Sequence, residues 1–291
     1  MKIGTQSKEI DKVFGPHQAL LILKNAGFEA VDFSLENEER LKKDDSELLV
    51  FFEDIKKYAD EIGIEIGQTH APFYNRENQM NRFDEIVKLQ INAIKATAFL
   101  GCKYIVIHPL QSEGRIYDLE LEETKKLNMK YYSALIPALL EYDVYCAIEN
   151  MFARDPEKRI WCPTTCTTAE EMVDFIDSLG ERFVACLDIG HINLIHQKEY
   201  PHVSFEHMIN TLDYRLKVLH VHDNNGKDDQ HLPPFAGNID WSAVVKALKK
   251  IGYAGNLSIE ADTFITYIKP EQFEKAENVI YAYAKRLYDM F

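Results

Sequence analysis

Residues 218–241 read VLHVHDNNGKDDQHLPPFAGNIDW. The stretch opens on a short apolar run, passes into a polar loop, and ends on Asp240-Trp241. An Asp at that place suits a helix start, because its carboxylate accepts from the free N–H groups of the first turn. The stretch therefore reads as one strand–loop–helix unit. Its ionisable groups, His220, His222, Asp223, Asp229 and His231, gather where the strand gives way to the loop. Folds made of such units carry their chemistry at the carboxyl ends of parallel strands.

Outward from this unit the same pattern repeats. Short apolar runs begin near Ile3, Ala30, Ile64, Tyr104, Val144, Phe183, Val218 and Leu257. Each is rich in Val, Ile, Tyr or Phe, as a strand buried on both faces should be. The segments between them carry helical spacing, as in Phe83, Ile86, Val87, Ile91, Ile94 and Ala98. Thr168 and Glu171 form a capping-box pattern ahead of Met172, Phe175, Ile176 and Leu179, with Gly180 as the stop. Pro270 suits the first turn of a last helix. Eight β-then-α units in 291 residues, with no Pro/Ser-rich linker, predict an α/β chain: one (β/α)8 TIM-barrel domain over residues 1–291. The rival, a doubly wound open sheet, needs a Gly-rich turn after the first strand. Thr5-Gln6-Ser7-Lys8-Glu9 stands there instead.

Composition narrows the function. The formal net charge is −14, which disfavours nonspecific nucleic-acid binding through Lys and Arg. No run approaches the roughly 18 apolar residues of a membrane span. MKIGTQ reads as a strand rather than a signal peptide. The five Cys are irregularly spaced, which suggests a reducing cytoplasm. Cys146 and Cys186 sit in apolar runs and read as buried thiols. Cys162 and Cys166 lack the second pair of a zinc site.

The chemistry stands at the run ends. These are Thr69-His70-Ala71-Pro72, Ile107-His108-Pro109, Ile148-Glu149-Asn150, Leu187-Asp188-Ile189-Gly190-His191, His220-Val221-His222-Asp223 and Ile259-Glu260-Ala261-Asp262. Singly, each has an ordinary structural reading. Jointly, carboxylates converging on one barrel mouth repel each other unless a cation joins them. Three carboxylates and one imidazole make a mixed O/N site that suits Mn²⁺, Co²⁺, Zn²⁺ or Mg²⁺. His220 and His222 are two apart and point the same way. His222, nearer the mouth, is the expected ligand, and His220 the deeper core or supporting residue.

These motifs, from Thr69 to Glu260, resemble the xylose isomerase-like TIM barrels, a superfamily of sugar isomerases and epimerases, inosose-processing enzymes and endonuclease IV-type enzymes. The resemblance to ketose 3-epimerases implies one divalent metal on Glu149, Asp188, His222 and Glu260. It further implies that Glu149 and Glu260 exchange the substrate proton and that His191 contacts substrate. The sequence departs from that group at Asp228, where those epimerases carry a substrate-binding Arg. Endonuclease IV-type enzymes hold three zinc ions. Their ligand types find counterparts in His70, His108, Glu149, Asp188, His191, His222, Asp229, His231 and Glu260. Asp229 and His231 would there hold an additional metal. Phe235-Ala236-Gly237 and the acidic loop Leu35-Glu36-Asn37-Glu38 depart from that branch.

The expected activity is a metal-dependent isomerase or epimerase, moving a proton at a carbon next to a carbonyl of a carbohydrate. His70, His108, Asp229 and His231 are candidate substrate contacts. Lys227 would hold an anionic group and Trp161 would stack on a sugar face. A lyase or dehydratase on a keto-sugar, inosose or keto-C-glycoside would use the same groups, and such enzymes include subunits with a small partner chain. A homo-oligomer also fits. A three-zinc phosphodiesterase and a noncatalytic sugar-binding barrel complete the alternatives.

Overall fold

A computed structural model describes the chain except for residues 75–79, 111–120, 156, 158 and 197–199. Its strands are β1 (Ile3–Gln6), β2 (Ala30–Ser34), β3 (Glu65–His70), β4 (Tyr104–Ile107), β5 (Tyr145–Glu149), β6 (Ala153–Arg154), β7 (Trp161–Cys162), β8 (Phe183–Asp188), β9 (Leu216–His220) and β10 (Leu257–Ile259). Eight of them form one parallel sheet in the order β10-β1-β2-β3-β4-β5-β8-β9. A parallel bridge between Val221 and Ile259 joins the two ends, with Val221 N donating to Ser258 O at 2.9 Å and Glu260 N to Val221 O at 3.0 Å. The sheet is thus the barrel that the repeated units predict. β6 and β7 form a separate antiparallel hairpin after β5.

Two apolar layers hold it together. The larger lies between the sheet and the helices and takes Ile105, Ile107, Cys146, Ile148, Ala185, Leu187 and Leu219. The smaller fills the barrel interior with Val106, Ala147, Val184, Cys186 and Val218. Alternation along the strands explains the split, since neighbours face opposite sides of the sheet. Both faces are buried, so β4, β5 and β8 are almost wholly apolar until they end, while Asp32, Gln68 and Ser258 are buried polar residues inside β2, β3 and β10.

The helices follow from their spacing. Phe83–Phe99 buries Ile86, Leu89, Ala93 and Ile94. Ala169–Leu179 buries Met172, Phe175, Ile176 and Leu179 and stops at Gly180, whose φ is 101°. Thr168 does precede this helix, but its hydroxyl makes no capping bond, so the expected capping box is incomplete. Asp240 caps Trp241–Lys250 by accepting from Ser242 N and Ala243 N. Pro270 opens a 3-10 turn, Pro270–Gln272, that leads into the last helix, Phe273–Tyr288. All five Cys are buried free thiols. Among the described residues no helix is long and apolar enough to cross a membrane.

Candidate active site

The interior-facing positions of β5, β8 and β9 carry Ala147, Cys186 and Val218 in one layer and Glu149, Asp188 and His220 in the next. The β8–β9 register shifts between Ala185 and Cys186, which sets Asp188 opposite His220. Ligand atoms of Glu149, Asp188, His220 and Glu260 all lie within 4.8 Å of one another. His220 Nδ1 stands 3.1 Å from Glu149 Oε2 and 3.1 Å from Glu260 Oε2. His220 is thus the imidazole grouped with all three carboxylates, while the expected ligand His222 reaches only one of them, with Nε2 beside Asp188 Oδ1.

His222 does share His220's face, one step farther out. It joins His191, Asp229 and His231, and its ring stacks on His231 with centroids 4.0 Å apart. Its Nε2 is 3.1 Å from Asp188 Oδ1 and 3.8 Å from Asp229 Oδ1. Gly190 makes room for it: a Cβ there would lie 2.0 Å from His222 Cε1. A third group consists of His70, His108 and Glu149, with His108 Nε2 3.0 Å from Glu149 Oε2.

Local structure aims these side chains. Asp188 ends β8 and caps the helix Ile189–Ile195 by accepting from His191 N at 2.7 Å. His70 Nδ1 donates to Ala71 O and His191 Nδ1 to Asn150 O, both at 2.8 Å. Each bond leaves Nε2 facing the site. The loop after β9 is pinned by Asp223, whose backbone exchanges hydrogen bonds with Leu232 and whose carboxylate accepts from Trp241 Nε1 at 2.9 Å. The pinned loop holds His231 at φ 44°, a strained conformation for a non-glycine residue. His231 lies between Asp229 Oδ2 at 3.2 Å and Asp262 Oδ1 at 3.1 Å.

The electrostatics show a site short of positive charge. Burial alone would raise the Glu149 carboxyl, but His108 and His220 overcome it and hold the group well below the usual carboxylate range. Glu260 goes the other way. Burial dominates, His220 and His231 oppose it, Glu149 and Asp188 add to it, and the carboxyl is pushed up to about 8. Burial would lower His220, yet Cys186, Glu260 and Glu149 raise it well above the ordinary imidazole value. Glu149 Oε2, Asp188 Oδ2, His220 Nδ1, both ring nitrogens of His222, Asp229 Oδ1 and Glu260 Oε2 are buried without a hydrogen-bond partner. Buried polar atoms are rarely left so. Their convergence, and the O/N donor set, fit a divalent cation.

The pocket in front of these groups has a volume of about 360 Å³ and is reached past Phe73, Tyr74, Phe152 and Lys8. Of the sequence-predicted residues, Glu149, Glu260, His70, His108, His191, Asp229 and His231 line it. Asp188 and His222 lie fully buried behind it. Trp161 and Lys227 do not line it. Trp161 packs edge-on against Phe152 and donates from Nε1 to Lys227 O at 2.7 Å, and the Lys227 side chain is exposed. Three residues escaped sequence reading. Asp32, 1% exposed, accepts from His220 Nε2 at 3.1 Å and from Gln68 Nε2 at 2.9 Å. Gln6 Nε2 donates to Glu260 Oε1 at 2.6 Å. A lone acid inside the apolar run Ala30–Ser34 was a usable signal for Asp32; nothing in sequence links Gln6 to Glu260.

The sequence profile of the xylose isomerase-like TIM barrels matches residues 20–281. The chain belongs to that family. Within reach of this barrel are proteins of several kinds. An uncharacterized protein of Methanocaldococcus jannaschii is 30% identical over 230 residues, 76% of this chain and 72% of its own. An inosose isomerase of Bacillus velezensis is 26% identical over 65% of this chain and 63% of its own. A probable endonuclease 4 of Mycoplasma mobile is 27% identical over 56% of each. Among solved structures, a D-tagatose 3-epimerase-like protein superposes with a TM-score of 0.71 at 22% identity, over 99% of both chains. The 3-keto-D-glucoside 4-epimerase of E. coli superposes at 0.74 and 16%, over 98% of this chain and 99% of its own. At those identities the structures establish the xylose isomerase-like barrel fold. The named neighbours of this barrel are sugar epimerases and isomerases, with endonuclease homologues beside them.

Proposed function

We propose that this barrel is a divalent-metal-dependent isomerase or epimerase of a small keto-sugar or related polyol ketone. One observation carries the reading: Glu149 and Glu260 converge on His220 Nδ1 at 3.1 Å each, at the base of a pocket of about 360 Å³. That volume is near the lower end of the roughly 300–1,000 Å³ of small-ligand sites. Glu149, Asp188, His220 and Glu260 would hold the metal. When bound, it supplies Lewis-acid polarisation of a carbonyl and stabilises negative charge on oxygen.

The rest falls to the chain's own groups. Glu149 or Glu260 takes the proton from the carbon next to the carbonyl, and the opposite Glu returns one on the other face, which gives epimerisation. Return to the neighbouring carbon gives an aldose–ketose pair. His70, His108, His191, Asp229 and His231 would bind hydroxyls, and the rings of Phe73 and Phe152 would cover the apolar side of the pocket they line. Asp32 fixes the His220 tautomer by accepting from Nε2, which turns Nδ1 toward the two Glu. The neighbours named as tagatose-like and keto-glucoside epimerases support the reading at the level of the fold.

A second reading, a three-metal phosphodiesterase, rests on the three donor groups sharing one mouth. The rim speaks against it. Lys8 is the one Lys or Arg among the described lining residues, and its ammonium is held by Glu36 at 2.9 Å and Asp262 at 3.7 Å. Metal ions could hold the reacting phosphate, but the rest of a DNA backbone is ordinarily met by Lys and Arg. The deciding experiment is incubation of the metal-loaded protein with a panel of keto-sugars in D₂O. Deuterium on the carbon next to the carbonyl supports the first reading. No exchange with any of them, together with cleavage of an abasic-site oligonucleotide, replaces it with the second.

A further inference from the structure

Gln6 is the link between Glu260 and a part of the fold that takes no part in the pocket. Its Nε2 donates to Glu260 Oε1 at 2.6 Å, while its own Oε1 is buried without a partner. Next to Gln6 lies a small, partly open space of about 10 Å³, lined also by Thr5, Glu9, Ile10, Asp262, Ile265 and Glu277. That is about the room one water needs. Glu277 comes from the last helix and is 2% exposed, and its Oε2 likewise has no partner. Burial alone pushes this carboxyl up to about 8, with no cation nearby to hold it ionised.

The two orphan atoms are complementary. A neutral carboxyl offers an O–H donor, and an amide oxygen needs one. An amide is nearly symmetric in shape, so nothing steric prevents Gln6 from flipping. Flipped, it would turn Oε1 onto Glu260 and, once that carboxyl is ionised or holds a metal, replace a hydrogen bond by repulsion. A donor on its far side removes that alternative.

We propose that Glu277 is a positioning residue: its carboxyl donates to one water in this space, the water donates to Gln6 Oε1, and Gln6 Nε2 is thereby kept on Glu260. The role rests on the functional reading above only in what Glu260 is used for. No proton changes owner along the chain of bonds. Its effect is to hold Glu260 Oε1 outward and leave Oε2 for the site.

Two readouts test it, one of them independent of metal. In ¹⁵N-labelled metal-free protein, the Gln6 side-chain NH₂ protons should exchange with solvent about tenfold faster in Glu277→Leu than in wild type. Binding of Mn²⁺ to the wild-type and variant chains should weaken about tenfold in the same variant, as expected for loss of a supporting partner. Glu277→Gln, which keeps an N–H donor, should restore both. Equal Gln6 exchange in wild type and Glu277→Leu overturns the proposal, as does a Glu277→Gln protein no better than Glu277→Leu. Should Glu277→Leu fail to fold, Glu277→Met takes its place in both measurements. If the wild type binds no Mn²⁺, the functional reading fails, and the Gln6 exchange rates still decide the role of Glu277.

Discussion

Ala147, Cys186 and Val218 fill the lower layer of the barrel interior, while Glu149, Asp188 and His220 stand two residues farther along the same strands. Both layers are buried, face the same axis and are held by the same hydrogen-bonded sheet. The lower layer is satisfied by contact alone. The upper layer leaves Glu149 Oε2, Asp188 Oδ2 and His220 Nδ1 without hydrogen bonds. Burial without pairing costs free energy. One layer therefore stabilises the fold, and the other costs it stability. The difference is one step of a period-two alternation, at the end of the barrel where (β/α)8 enzymes keep their chemistry.

Substitutions at matched positions sharpen that contrast. The largest effect is expected from Glu149→Gln and Glu260→Gln: solvent deuterium incorporation into the reactive keto-sugar should fall about 10²–10⁴-fold for each. Circular dichroism should show both variants folded. Wild-type exchange in either would remove that residue from the proposed chemistry. Next comes metal affinity. His220→Ala should abolish tight Mn²⁺ binding in calorimetry, and Asp32→Asn should weaken it about 10–100-fold, because Asp32 fixes the tautomer of His220. His222→Ala should leave that ion in place. If His222→Ala is the more damaging, the set centres on His222 after all.

In the lower layer the expectation reverses. Val218→Ala should cost about 2 kcal/mol of unfolding free energy in a urea titration, with Mn²⁺ affinity unchanged. A loss of metal binding there would break the division between layers. The smallest effect concerns pH. The folded Glu277 carboxyl titrates at about 8 against 4.5 for an ordinary Glu. In this window the folded state binds the extra proton, so the group's contribution is complete below about 4.5. It is lost as pH rises toward 8. Glu277→Gln does not ionise. Its melting temperature relative to wild type should therefore climb between pH 5 and pH 8, and a difference constant with pH would contradict the buried, uncharged state of Glu277.

The contrast also marks what was legible in the sequence. Short apolar runs and helical spacing are local properties, and they located all eight barrel strands to within two residues. The polar ends at His70, His108, Glu149, Asp188 and Glu260 were legible because an ionisable group closing a buried strand stands out against it. Which of His220 and His222 lies nearer Glu149 and Glu260 was not legible, because it depends on a register shift beside Ala185, set by two strands together. That Trp161 and Lys227 meet each other rather than the pocket was not legible for a related reason, since it depends on two loops together. Asp32 carried a signal, an acid inside an apolar run. Gln6 and Glu277 carried none, because their placement arises only when β1, β10 and the last helix pack.

A crystal of the protein soaked in Mn²⁺ and recorded at the manganese absorption edge tests the central claim most directly. An anomalous peak bounded by Glu149, Asp188, His220 and Glu260, and absent in His220→Ala, is the predicted result. A fully soaked crystal with no peak between those four side chains would contradict it.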